Sequence, residues 1–161
     1  MTAISLQRVG KGALLAAIFV AGNIILPQIC HLVPQGGLRW LPIYFFTLIA
    51  AYRYGLGVGL ATAIASPVIN WALFGMPGGG MLPVILGKST LLAVAASLAG
   101  SRFPKASLAS VGAVIIAYQE CGFFFEWALT GSAAAAASDL SVGLPGLLLQ
   151  LVAAPLLLRK I

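Results

Sequence analysis

Charge is what this sequence has least of. Only 7% of its 161 residues are Asp, Glu, Lys or Arg, and just three of those are acidic, where a soluble domain carries about a quarter. So few charges cannot clothe a surface facing water, and 61% of the residues are hydrophobic. The solvent is therefore lipid. Histidine is nearly missing as well: His31 stands alone, so no metal centre is expected. The two cysteines, Cys30 and Cys121, lie at the end of one apolar run and inside another. Two such residues in a lipid-embedded chain make no disulfide framework. No hydrolase elbow, zincin pair, CxxC pair or spaced carboxylate dyad is present, which argues against an enzyme and against a bound cofactor. The formal charge of +6 invites a nucleic-acid reading. The basic residues, however, are scattered between apolar runs and form no patch, so no nucleic-acid partner is expected.

What the chain does have is apolar runs joined by short links. Six spans are predicted: Gly12–Cys30, Leu38–Tyr52, Leu56–Phe74, Met81–Ala99, Ala106–Leu129 and Val142–Leu158. Most approach the roughly 20 residues a helix needs to cross the hydrocarbon core. The second is short and should tilt little or sit among its neighbours. Links such as Arg53-Tyr54-Gly55 and Gly75–Gly80 force consecutive helices to be antiparallel. The charged, then apolar, N-terminus has the look of a signal peptide, but its hydrophobicity runs on through Ala21-Gly22, so it is read as the first span. With the N-terminus cytoplasmic, Arg8, Lys11, Arg53, Arg102, Lys105, Arg159 and Lys160 fall inside and only Arg39 falls outside, as the positive-inside rule requires. The sequence thus predicts an all-α integral membrane protein of one domain, residues 1–161. It should be a six-transmembrane-helix bundle in the cytoplasmic (inner) membrane, with both termini cytoplasmic.

Polar residues inside the spans carry the functional signal. Gly87-Lys88-Ser89-Thr90 has the ending of a phosphate loop, but Leu82 stands where that pattern needs glycine. Lys88, Glu120, Gln150 and Asn70, the last followed by Trp71, converge from four spans on one level in the outer half of the membrane. Such groups normally face a bundle interior or an aqueous cavity. Glu120, Phe123, Phe124 and Trp127 share a helix face, placing a carboxylate beneath aromatic walls suited to a small, flat, polar molecule. The alternative is a Lys88–Glu120 ion pair that only staples helices, and both stay open. Three outer connections, bearing His31, Gly78 and Asp139, are placed to roof a cavity. Ser66-Pro67 should kink the third span. Ala13, Ala17 and Ala21 form a smooth row on the first span that suits close helix approach, within the bundle or against a partner; Gly55, Gly59 and Ala63 form another on the third.

These features together resemble the S component, the substrate-binding membrane subunit, of energy-coupling factor (ECF) vitamin transporters. The likeness runs from about Gly12 to Gly100. It is carried by Ala13/Ala17/Ala21, His31, Leu41-Pro42, Tyr54-Gly55-Leu56-Gly57-Val58-Gly59, Ser66-Pro67 with Asn70, Gly75-Met76-Pro77 and Leu82-Pro83. The resemblance implies a vitamin-like substrate held in the outer half of the membrane. It also implies a transmembrane coupling subunit docking on Ala13, Ala17 and Ala21, and two ATPase subunits. Substrate-binding residues would then be drawn from Lys88, Glu120, Asn70, Gln150, His31, Trp127, Trp71 and Phe124. Many relatives in the branch that this chain resembles carry glutamate where it has Lys88, a departure that points to an anionic group on the solute. A solitary small-solute transporter or channel, and a purely structural membrane protein, remain as other classes.

Overall fold

Glycine and proline set most of the helix boundaries. The computed structural model describes residues 3–78 and 80–161, with side chains from Val9 onward; Gly79 and the Arg8 side chain, both part of the expected topology, lie outside the described residues. The chain folds into α1 (Ala3–Cys30), α2 (Gly36–Trp40), α3 (Pro42–Tyr54), α4 (Leu56–Phe74), α5 (Leu82–Arg102), α6 (Leu108–Thr130), α7 (Ala133–Ala136), α8 (Ser138–Ser141) and α9 (Leu144–Leu158). Among the described residues there is no strand.

Two expected elements are subdivided. The run from Leu38 to Tyr52 breaks at Leu41, which adopts φ 46°, ψ 46° before Pro42. A proline disfavours the α conformation in the residue before it, so α2 ends there and α3 starts afresh. Past α6, Gly131 takes a left-handed φ of 69°, and two one-turn helices follow where the sequence allowed either a longer helix or a loose loop. By contrast, α4 runs unbroken through Pro67.

Among the described residues, four helices are long and apolar enough to cross a membrane: Val9–Cys30, Leu56–Phe74, Leu82–Arg102 and Leu108–Thr130. A fifth span results if Ala133–Ser141 and Leu144–Leu158, bent by 49°, count as one. This is the build of a multi-pass membrane protein. Its surface bears Leu14, Ile18, Ile25, Leu98, Ile116, Leu148 and Val152, all more than half exposed, as lipid-facing side chains should be.

The centre of the bundle is α3. It has 13 residues, about 20 Å at helical rise, and α1, α4, α5 and α9 pack around it. Leu48, Ala50 and Ala51 are fully buried, with Tyr44, Phe45 and Ile49 nearly so. A helix shorter than the hydrocarbon core is thick is thus shielded from lipid by its neighbours. Polar side chains fasten it in place. Asn23 of α1 donates to Thr47 Oγ1 of α3 at 2.9 Å and to Ser66 Oγ of α4 at 3.1 Å. The Phe46 amide donates back to Asn23 Oδ1 at 3.2 Å. Asn70 Nδ2 donates to the Asn23 carbonyl at 3.0 Å. One asparagine therefore joins three helices in a setting where water offers no competing partner.

At the far end of α3, Tyr52 donates to the Phe103 carbonyl at 2.8 Å and lies 2.9 Å from the Ser110 hydroxyl. Arg159 Nε donates to the Ala106 carbonyl at 3.0 Å. Arg53, Arg102, Lys105, Arg159 and Lys160 all lie at this end.

Gly100 of α5 permits the closest approach there: a Cβ at this position would stand 2.0 Å from the Tyr52 carbonyl oxygen. Since backbone cannot yield as a flexible side chain can, Gly100→Ala is expected to destabilise the protein by about 1–3 kcal/mol. Thermal unfolding in detergent measures this, and an unchanged midpoint would contradict the packing described.

Candidate functional site

A cavity of about 320 Å³ opens at the opposite end of α3. There α1, α4 and α6 finish while α3 and α5 begin, so the antiparallel stacking brings alternate helix ends and their connections together. Pro27, Gln28 and His31 line one side, Leu41 to Tyr44 another, and Asn70, Met81 and Val84 a third. All three connections expected to act as a roof contribute: His31 and Gly37 from the first, Met76 to Gly78 from the second, Ser138 and Asp139 from the last. Apolar side chains predominate, as in most sites for small organic molecules.

The charged wall consists of Lys88, Glu126 and Asp139. Lys88 Nζ donates to Asp139 Oδ2 at 2.8 Å and forms a second ion pair with Glu126. All three residues are buried. The arrangement follows from the helices. Lys88 leaves α5 less than two turns from its start and crosses Gly122 of α6, where a Cβ would lie 3.0 Å from Lys88 Cγ. Glu126 is one turn beyond Gly122 on the same row, and α8 delivers Asp139 from above. Three elements are thereby pinned by one ammonium group. With one cation against two carboxylates, the formal balance of the cluster is one negative charge.

Glu120 meets Lys88 neither as a shared pocket wall nor as the alternative ion-pair staple, since Lys88 is held by Glu126 and Asp139. Glu120 is exposed on the outer face of α6, together with Phe124 and Trp127, which are 61% and 45% exposed. The shared face read from their spacing exists, but it points away from the bundle. In lipid the apolar aromatic side is the outward side, so it cannot locate the interior as it would in water. Trp71 likewise faces outward.

Of the expected site residues, Lys88, Asn70 and His31 do meet at the cavity. Asn70 is held by its bonds to the Asn23 and Ser66 carbonyls, and the His31 ring packs over Gly37. Gln150 is buried but lies outside the cavity lining. Among the described residues its amide atoms have no hydrogen-bond partner, and neither do Ser89 Oγ, Tyr118 Oη or Gln119 Nε2. Tyr118 packs at a tilt against the cavity-lining Tyr44, with ring centroids 5.8 Å apart, so unpartnered polar groups begin one layer beyond the cavity wall.

The residues that sequence reasoning missed are Glu126 and Asp139. A signal existed: a buried lysine needs a counterion, the chain has three carboxylates, and Glu126 follows Gly122 by four residues. No protein-family model, curated protein or solved structure matches the chain.

Removing Lys88 would leave two carboxylates facing one another in a buried site. Lys88→Met is therefore expected to cost about 3–5 kcal/mol of stability, the range for breaking a buried pair from one side. Adding Glu126→Gln and Asp139→Asn should restore most of that loss. Glu120→Gln breaks no ion pair within the described residues and should not lower stability. Equal losses from Lys88→Met and Glu120→Gln in thermal unfolding would contradict this assignment.

Proposed function

We propose that this chain is the solute-binding membrane subunit of an ECF-type transporter for a vitamin or related micronutrient. The observation that carries the reading is the cavity lined by three connections at one end of the bundle. Six spans belong to this proposal: α1, α3, α4, α5, α6 and α9, with α3 sheltered by its neighbours. Both termini are then cytoplasmic. Arg53, Arg102, Lys105, Arg159 and Lys160 face the cytoplasm, and the cavity opens outward across the cytoplasmic membrane. The protein acts by capture and release rather than by chemistry, and the energy for uptake comes from a transmembrane coupling subunit with two ATPase subunits.

The α1 surface supports such a partner. Ala13, Ala17 and Ala21 are exposed, while Ala16, Phe19, Val20 and Asn23 face the bundle. The alanine row is thus free of intramolecular packing and open to close approach by another helix.

The solute is revised from the anionic group that the sequence pointed to. Lys88 already faces two carboxylates, so a positively charged group on the solute is what balances the cavity. A second reading is favoured by one observation: Lys88 is satisfied within the chain, as a purely structural staple would be.

Mass spectrometry of the gently purified protein tests these readings. A small organic cation should be carried through purification, and Asp139→Asn should lose most of it while remaining folded. An anionic solute would overturn the charge assignment and leave the binding role standing. Absence of any bound small molecule would favour the staple.

A further inference from the structure

Glu120 plays no part in the cavity, yet it is the least comfortable residue in the chain. It lies at the centre of the 23-residue α6, roughly 15 Å from either end at helical rise, with its side chain exposed. The surface around it is apolar: Ile116 and Phe124 are more than 60% exposed. A carboxylate at that depth is costly to leave in hydrocarbon, and residues of this kind normally have a partner. Among the described residues, the only salt bridges are those of Lys88.

A groove of about 340 Å³ lies between α5 and α6, with Ala95 and Ala99 on one side and Ala113 and Ala117 on the other. Glu120 is outside its lining but adjoins the lining Cys121 in sequence and lies one helical turn from Ala117. Small residues are what allow two helix backbones to approach closely in a membrane. Ala113, Glu120 and Trp127 also recur at intervals of seven, the repeat with which helices pack along their length. This surface is separate from the alanine row of α1, since α1 packs on α3 and α4 while α6 packs on α5 and α9.

We propose that the α5–α6 groove receives a transmembrane helix of a partner protein carrying a lysine or arginine at mid-depth, paired with Glu120. Charge selects this occupant over a second copy of the chain. Lys88 is the one cation deep inside a span among the described residues, and Glu126 and Asp139 already hold it. Lys11 lies two residues inside the Val9–Cys30 span. Arg39, Arg53, Arg102, Lys105, Arg159 and Lys160 lie at helix ends or in connections. None reaches the level of Glu120 on a neighbouring copy.

Cys121, exposed and part of the groove, supplies the probe. The full chain with Cys30→Ser is placed in phosphatidylcholine vesicles with a leucine–alanine helix of about 20 residues. The peptide carries a central lysine with a cysteine beside it, and its control carries leucine in place of the lysine. Under mild oxidation the lysine peptide should cross-link to Cys121 about 5- to 30-fold more than the control, the range for one interhelical polar contact. That advantage should vanish in Glu120→Gln and persist in Glu120→Asp. Equal cross-linking of both peptides would overturn the pairing, as would no cross-linking of either. A Cys121–Cys121 dimer that excludes both peptides would assign the groove to a second copy instead. If Glu120→Gln fails to fold, the comparison of the two peptides on the Glu120 protein still decides.

Discussion

Lys88 is the constraint on which the cavity end of this protein depends. A lysine inside an apolar bundle must be met by negative charge or not be there. That requirement draws together α5, which carries Lys88, α6, which brings Glu126, and the short α8, which brings Asp139. Among the described residues, Asp139 supplies the only polar contact of the segment between α6 and α9 that reaches beyond the adjoining helix ends. The charges therefore position a roof as well as line a wall. The same three residues set what the cavity can accept, because their formal charges do not cancel.

A second constraint comes from lipid. Hydrophobicity cannot tell inside from outside when the solvent is itself apolar, so the bundle is specified by small residues and by polar contacts. Gly100 lets α5 touch the backbone of α3, Gly122 lets the lysine cross α6, and Asn23 ties α1 to α3 and α4. The buried α3 follows from this: its neighbours enclose it, so its own length need not match the membrane.

The same physics explains what could be read from the residues. Apolar run lengths and the glycine and proline breaks marked the ends of most long helices to within about three residues, because those signals are local. By contrast, α1 begins at Ala3, well before the expected start at Gly12. Pro42 was visible too, but its consequence, a left-handed Leu41 that divides one run into α2 and α3, depends on how α2 folds back. The site was legible at Lys88, Asn70 and His31, polar residues near one level or in a roofing connection. Glu120 misled because its aromatic neighbours suggested a pocket wall, although in lipid such a face turns outward. Glu126 and Asp139 were obscured for different reasons. Glu126 sits among aromatic residues close to a helix end, and Asp139 belongs to an alanine-rich connection whose path only the tertiary structure defines.

Hydrogen exchange in residues 131–143 measures most directly whether Lys88 pins the roof. In the unaltered protein this segment should be protected by its short helices and by the Asp139 contact. Lys88→Met should abolish that protection while leaving α3 slow to exchange, and Glu120→Gln should change neither. Protection of residues 131–143 that survives loss of Lys88 would contradict the central role of the buried ion cluster.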